Sequence, residues 1–173
     1  METPLKINFI PEKKDYIRAS RVLALKTPVF ILLAGVTILA MIASVVMLFV
    51  GLPENSTLRS VAGISLVFGA FFLANLFILI PFQLSRAYKK NEYLQEERGF
   101  VFADDKATMT MGENGITFAW ENFKKVIDGG DLYVLVYDDG ERFSPFLPKR
   151  AFAQPADEAA FLQLLAEKSI SVK

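Results

Sequence analysis

The chain of 173 residues contains no cysteine and no histidine. Without cysteine there is no disulfide, no thiolate nucleophile and no cysteine-based zinc site. Without histidine the chain lacks the commonest general base and the commonest ligand of transition metals. The net charge is zero, so the overall charge indicates neither nucleic acid nor an acidic substrate as a partner. We therefore expect no cofactor, no metal site and no nucleic-acid partner.

Carboxylate pairs that could serve an enzyme fall in predicted turns. Asp104-Asp105 and Asp138-Asp139 lie between strand-like stretches, where aspartate is common. No glycine-rich phosphate loop precedes a helix, because a strand follows Gly129-Gly130. The sequence therefore favours a protein that is not an enzyme.

Two long stretches, residues 27–53 and 60–85, contain no charged residue. Each exceeds the roughly 20 residues with which a helix crosses the hydrocarbon core of a bilayer, and backbone in that core must be helical. We predict a transmembrane hairpin over residues 28–85, with helices at about 28–52 and 60–85. Core helices of a soluble protein would be shorter and interrupted by polar residues. A cleaved signal peptide would be shorter and would end in a small-x-small pattern.

Lysine and arginine flank the two predicted helices unequally. Residues 1–26 carry six, the exit from the second helix carries three, and the connecting loop carries Arg59 alone. Positively charged flanks stay in the cytoplasm. We therefore predict a multi-pass protein of the cytoplasmic membrane with both termini in the cytoplasm.

Small residues recur at a spacing of four inside the predicted membrane helices, as at Ser65 and Gly69. This spacing lets two helix backbones approach closely. Asn75 is the strongly polar side chain well inside the second helix. It could mark a polar path, but we favour an amide that bonds across the hairpin or to another copy of the chain. A homo-oligomer would use the same residues.

From residue 98 onward the sequence changes to about six short stretches in which apolar and polar residues alternate, separated by turn residues. After Pro148 the apolar period becomes that of a helix. We predict a membrane α+β fold in four segments. These are an N-terminal strand and juxtamembrane helix (1–27), the transmembrane hairpin (28–85), a helical linker (86–97), and a cytoplasmic antiparallel sheet or barrel closed by a C-terminal helix, pleckstrin-homology-like in outline (98–173).

The N-terminal stretch "LKINFI", residues 5–10, alternates apolar and polar residues and ends at Pro11, which cannot continue a strand ladder. We predict that it pairs with the C-terminal sheet. The alternative is a disordered terminus, since chain ends commonly fray.

Several motifs resemble those of a known family. They are "GI" at Gly115-Ile116, "W..FKKV" from Trp120 to Val126 and "LPKRAF" from Leu147 to Phe152. With the two-helix hairpin and the opening "INFIPEKKDYIRASR", they resemble the YcxB-like family of bacterial membrane proteins. Leu147 departs from the isoleucine that is usual in that family. The resemblance implies this architecture and a bacterial inner membrane, and it carries no activity over to the chain.

Trp120 ends an alternating face that includes Ile116 and Phe118. We predict that it is a structural residue, buried against Phe161 and Leu165 of the closing helix. The alternative is an indole that stacks on a ligand.

The corner "FLPKRAF" connects the last predicted strand to the last helix. Pro148 should end the strand because it has no N–H, and Phe152 should anchor the corner in the core. Lys149 and Arg150 are then predicted on an exposed turn. We favour a local ion pair between Arg150 and Asp157 or Glu158. The alternative is an anion site for a partner's carboxylate or a lipid phosphate.

Two functions compete. The first is a membrane-anchored cytoplasmic module that docks a protein, a peptide or a lipid headgroup, with Lys149 and Arg150 as candidate binding residues. The second is a structural or accessory subunit that assembles through its transmembrane hairpin. Residues 99–173 carry eight Lys/Arg against twelve Asp/Glu, so any headgroup site should be local rather than a broad basic surface.

Overall fold

A computed structural model of the chain describes residues 4–50, 57–137 and 144–173. The chain divides into two units: Met1–Leu23 with Arg86–Lys173, called here the β-unit, and Ala24–Ser85, called the helical unit. In the described residues the α-helices are α1 (Lys13–Leu25), α2 (Pro28–Phe49), α3 (Thr57–Ala74), α4 (Ile80–Lys90) and α5 (Pro155–Glu167). The strands are β1 (Leu5–Phe9), β2 (Arg98–Phe102), β3 (Lys106–Met111), β4 (Asn114–Ala119), β5 (Phe123–Asp128), β6 (Leu132–Tyr137) and β7 (Phe146–Pro148).

Two helical stretches are long and apolar enough to cross a membrane by length and composition: Pro28–Phe49 and Thr57–Lys90. The second continues beyond the predicted end at residue 85 and runs to Lys90, so it includes the start of the predicted linker. A short 3-10 helix, Glu92–Gln95, completes that linker. The predicted loop between the two helices lies outside the described residues for most of its length.

α2 and α3 pack against each other through small residues. Gly69 is buried, and a Cβ at that position would clash with the sulfur of Met41, so the contact with the methionine requires glycine. Ser65 shares a groove with Gly69, and Phe30 stacks on Phe72 with ring centroids 6.0 Å apart. Ser44 donates to its own helix, at Ala40 O, over 2.7 Å. Packing through Ser65 and Gly69 within a membrane stays a prediction.

A π-helical turn, Asn75–Leu79, interrupts the second apolar helix just before Pro81. Proline lacks the N–H that an α-helix would bond to the carbonyl four residues earlier. In the π turn the N–H of Ile80 bonds instead to Asn75 O, and such turns commonly absorb the disturbance. Asn75 is half-buried at this turn. A bond from its amide across the pair stays a prediction.

The strands form two antiparallel sheets, ordered β1-β2-β3-β4 and β5-β6-β7. β1 pairs with β2 over its whole length, from Leu5 opposite Phe102 to Phe9 opposite Arg98. The predicted pairing of the N-terminal stretch is therefore confirmed. Of the predicted sheet or barrel, the barrel is wrong, because the strands form a four-stranded and a three-stranded sheet that are not closed. The outer edge of β5 is covered near the C-terminus, where Val126 N–H bonds to Ser171 O over 2.9 Å.

The core of the β-unit lies between the two sheets and α5. Phe161, Leu164 and Leu165 of α5 are fully buried, as predicted. Met109 and Met111 are buried along one face of β3, which agrees with the alternating pattern. On β4 only Phe118 is buried. Ile116 is 37 % exposed, so the predicted inward face of β4 does not extend to it, because the strand lies at the edge of its sheet.

Candidate functional site

The corner before α5 folds as its sequence predicts. β7 ends at Pro148, and a 3-10 turn, Lys149–Ala151, follows. The N–H of Lys149 bonds to Asp131 O over 2.8 Å, which fixes the turn against the start of β6. Phe152 is half-buried, with its ring centroid 5.7 Å from that of Phe161. β7 thus ends at Pro148 and Phe152 packs against the core, while their role as structural motif residues stays a prediction.

Arg150 pairs with an acid from the other end of the chain. Its Nη1 donates to Asp15 Oδ1 over 2.7 Å and its Nη2 donates to Asp15 Oδ2 over 2.6 Å. Glu12 adds an ion pair at 3.1 Å, and the bond to Asp15 raises the pKa of Arg150. Asp15 is 4 % exposed. The prediction of a local pair is wrong in its partner, because α1 brings a buried carboxylate to the corner.

The two acids predicted for Arg150 have other bonds. Asp157 accepts from the N–H of Gln154 over 3.1 Å and so caps α5. Glu158 accepts from the hydroxyl of Tyr133 over 2.6 Å. Both acids lie in the first turn of α5, where an acid complements the helix dipole.

Lys149 is held on the other side of the corner. Its Nζ lies 2.9 Å from Asp128 Oδ2, 3.8 Å from Glu158 Oε1 and 4.6 Å from the centroid of the Tyr133 ring. The bond to Asp128 raises the pKa of Lys149. Burial and the bond to Glu158 raise the pKa of Tyr133 to about 12. Thus both cations of the motif already have carboxylate partners.

A cleft of about 520 Å³ lies beside this corner, wholly within the β-unit. Its lining contains five cations and two carboxylates: Lys14, Arg18, Arg21, Lys149 and Arg150, with Asp15 and Asp131, besides Ile17 and Leu132. Among the residues that the structure describes, neither Arg18 nor Arg21 is in an ion pair. Arg18 instead donates through Nε and Nη2 to Gly129 O, over 3.2 and 2.9 Å. The cleft therefore carries an excess of positive charge.

α1 supplies these cations because of its periodicity. Lys14, Arg18 and Arg21 are spaced i, i+4 and i+7, which places them on one face of a helix. The next positions along the chain, Asp15, Ala19 and Val22, are the buried stripe. From the sequence alone, these cations are predicted only as the positively charged flank of a membrane helix. Their helical spacing beside an apolar stripe was the signal for a shared surface.

α1 is fixed to the rest of the β-unit at close range. A Cβ on Gly129 would lie 2.7 Å from Val22 Cγ2, so glycine permits this contact. Tyr16 donates to Leu94 O over 2.9 Å and accepts from Arg98 Nη2. Arg98 is 5 % exposed, and burial lowers its pKa. The N-terminal helix is therefore part of the folded domain. Residues 99–173 alone carry a net negative charge, whereas the β-unit as a whole, which includes this helix, is near neutral.

Trp120 is buried, as predicted. It lies in a short 3-10 turn after β4, is 6 % exposed, and donates Nε1–H to Ala103 O over 3.0 Å. Its ring lies 5.4 Å from Phe123 and 6.2 Å from Phe102, centroid to centroid. Phe102 in turn contacts Phe161 at 5.0 Å. Phe102 therefore links Trp120 to the closing helix, and direct packing of Trp120 on Phe161 and Leu165 stays a prediction.

Across the described residues, no group of three Asp or Glu side chains is placed to hold a metal ion. The predicted turn at Asp138-Asp139 lies outside the described residues, and Asp104-Asp105 lies in the β2–β3 turn as predicted.

Comparison with known proteins gives one match. The model of the YcxB-like protein family matches residues 105–165, which include β3 to β7, the corner with Lys149 and Arg150, and most of α5. No curated protein and no solved structure matches the chain. The motifs at Gly115, Trp120 and Pro148 lie inside the matched range, whereas the N-terminal helix and the two apolar helices lie outside it. Residues 105–165 of this chain are therefore similar to the YcxB-like protein family.

Proposed function

We propose that this chain is a membrane-anchored binding module of the bacterial cytoplasmic membrane. The two apolar helices form a transmembrane hairpin, both termini are cytoplasmic, and the β-unit is a pleckstrin-homology-like docking domain at the membrane surface. Support for the anchor comes from the length and composition of the helices. Support for the orientation comes from the six Lys/Arg of residues 1–26 against Arg59 alone in the loop.

The cleft beside the corner is the docking surface, and its charge is the observation that carries the proposal. Five cations converge from α1 and the 3-10 turn Lys149–Ala151 on a volume of about 520 Å³, which is in the range of sites for small ligands, roughly 300–1,000 Å³. The β-unit around them is near neutral. The positive charge is therefore local, as a site for an acidic group requires.

Binding fits this lining better than catalysis does. The buried carboxylate, Asp15, accepts two bonds from Arg150 and one from the N–H of Glu12 at 2.7 Å. These three bonds occupy most of the roughly four lone-pair sites of the carboxylate, so Asp15 serves the fold at this corner. Arg18 and Arg21 are guanidinium groups, which bind anions through a fork of N–H donors and offer no acceptor to a substrate's proton.

Photocross-linking from the cleft tests this function in the full-length chain in native membranes. A photoreactive residue replaces Ile17, which lines the cleft, and a matched control replaces the exposed Thr117 on β4. We expect adducts at position 17 that the control lacks and that disappear when Arg18 and Arg21 are both changed to Gln. Equal labelling from positions 17 and 117 contradicts the proposal.

The competing role is an accessory subunit that assembles through the helical unit. The groove of about 310 Å³ that Ser65, Gly69 and Phe72 line with α2 is the observation that favours it. A fragment of residues 24–85, purified in detergent from membranes, distinguishes the two roles. If they retain every partner of the full chain, the hairpin carries the function and the binding module is contradicted.

A further inference from the structure

The cations of the cleft differ in how far their charge is compensated. Arg150 is paired with Asp15, and Lys149 is paired with Asp128. Lys14 pairs with Glu12 at 2.9 Å, with both side chains largely exposed. In the part of the chain that the structure describes, Arg18 bonds only to a neutral carbonyl and Arg21 has no acid partner. The uncompensated charge is therefore that of two guanidinium groups.

These two guanidinium groups share one helix face. Arg18 and Arg21 are three residues apart on α1, so their side chains leave the helix as neighbours. The two bonds to Gly129 O use Nε and Nη2 of Arg18 and leave its Nη1 to other partners. A guanidinium presents a fork of N–H donors that matches the oxygens of phosphate, and two forks match an anion with several oxygens better than one carboxylate does.

We propose that the cleft binds a phosphate group through Arg18 and Arg21, and that this phosphate belongs to the headgroup of an anionic phospholipid. The proposal rests on the proposed function and names its ligand. Lys149 and Arg150 position the site: their ion pairs fix the corner and α1, while the two arginines of α1 contact the ligand.

The volume of the cleft and the position of Arg21 in the sequence favour a lipid phosphate over a soluble phosphate. The cleft of about 520 Å³ is much larger than a lone phosphate needs. Arg21 precedes the apolar helix that begins at Pro28 by only seven residues of sequence. Cations directly beside a membrane helix on the cytoplasmic side are commonly those that meet anionic headgroups.

One carboxylate in the cleft repels an anionic ligand, so its removal distinguishes an anionic ligand from a cationic or a neutral one. Asp131 is exposed and lines the cleft. Its charge repels a phosphate, so removing it should strengthen binding, whereas a cationic ligand would be bound less well. A neutral ligand would respond little.

The test uses the full-length chain in a neutral maltoside detergent. Calorimetric titrations compare dioctanoyl phosphatidylglycerol, dioctanoyl phosphatidylcholine and inorganic phosphate. The variants are Arg18→Gln with Arg21→Gln, Asp131→Asn, and the control Lys89→Gln with Lys90→Gln, which removes two exposed cations at the end of α4. If the double variant does not fold, the single variant Arg21→Gln takes its place in the titrations, because this change removes no ion pair from the described part of the fold.

We expect phosphatidylglycerol to bind and phosphatidylcholine to bind far less well. The double arginine variant should weaken binding by at least about tenfold, because charge-assisted hydrogen bonds are lost. Asp131→Asn should strengthen binding severalfold, and the lysine control should match the unmodified chain. Saturable binding of inorganic phosphate as tight as that of phosphatidylglycerol would identify a soluble phosphate as the source and overturn the lipid assignment.

Two results overturn the phosphate site itself: phosphatidylglycerol binding that survives the arginine changes, or equal binding of both lipids. Failure here is distinct from failure of the proposed function. If cross-links from position 17 depend on Arg18 and Arg21 while neither lipid nor phosphate binds, the module stands and its ligand carries another acidic group.

Discussion

Arg150 and Asp15 lie 135 positions apart in the sequence, yet their side chains form two hydrogen bonds of 2.7 and 2.6 Å. Arg150 follows the last strand, and Asp15 lies in the first turn of α1. The pair joins the N-terminal helix to the corner of the YcxB-like domain. It also orients the face of α1 that carries Arg18 and Arg21, so the ion pair connects the fold to the candidate site.

Arg150→Gln should destabilise the β-unit substantially. Exposed ion pairs contribute about 0–1 kcal/mol, but this change leaves the nearly buried Asp15 carboxylate without its partner, which costs about 3–5 kcal/mol in a fully buried pair. Because Arg150 itself is 38 % exposed at its side chain, we expect a loss of about 2–3 kcal/mol in the free energy of unfolding. Denaturant unfolding of the full chain in detergent measures it.

A double-mutant cycle provides the control for this pair. Asp15→Asn combined with Arg150→Gln removes both charges, so it should be more stable than the sum of the single changes predicts. A loss below about 1 kcal/mol for Arg150→Gln would place the pair among ordinary surface pairs.

Local patterns predicted the elements of the fold well. The alternation of Leu5–Phe9, the proline that ends β7 and the buried stripe of α5 each depend on neighbours in the sequence. The separation of the strands into two sheets does not, because it depends on how β4 and β5 are joined. There a 3-10 turn at Trp120–Asn122 directs the chain out of the first sheet.

The candidate site could be predicted only in part, because some of its contacts join elements that are far apart in the sequence. Lys149 and Arg150 stand in a recognisable motif, so their place at a corner could be read from the sequence. Their carboxylate partners lie in α1 and at the end of β5. No pattern near the motif in the sequence indicates that these residues are close in space. The helical spacing of Lys14, Arg18 and Arg21 was visible, but its meaning requires knowing what α1 packs against.

Trp120→Ala should unfold the β-unit or come close to it. The substitution removes a buried indole that contacts two phenylalanines, and such changes cost about 3–5 kcal/mol. Trp120→Phe separates the contributions: it keeps an aromatic ring but leaves Ala103 O without its donor, for about 1–3 kcal/mol. Thermal unfolding followed by circular dichroism checks both. A Trp120→Ala variant that keeps its midpoint but loses phosphatidylglycerol binding would instead indicate a ligand-stacking indole.

Cysteine labelling tests the proposed orientation in the membrane. The chain has no native cysteine, so single cysteines report one position each. Cysteine at Asn55 or Ser56, which lie outside the described residues, should react with a membrane-impermeant thiol reagent in whole cells. Cysteine at Ser144, in the β-unit, should react only after the cells are opened. Equal labelling of positions 55 and 144 in whole cells would contradict the orientation that the Lys/Arg distribution predicts.

The stability of the β-unit should fall as the pH rises above about 10. The pKa of Tyr133 is about 12 in the fold against an ordinary value of 10.0, so the folded state holds this proton more tightly than the unfolded state does. The stabilisation is complete below pH 10 and is lost as the pH rises toward 12. The raised pKa of Lys149 and the raised pKa of Tyr16 act in the same direction.

Tyr133→Phe isolates the tyrosine in this pH dependence. Without the hydroxyl, Glu158 loses the donor at 2.6 Å, so the variant should be less stable than the unmodified chain at neutral pH, by about 1 kcal/mol. Its unfolding free energy should then fall less steeply above pH 10, since one of the groups that release a proton on unfolding has been removed. Denaturant unfolding at several alkaline pH values measures both slopes. Identical slopes in the two chains would show that Tyr133 titrates alike in the folded and unfolded states.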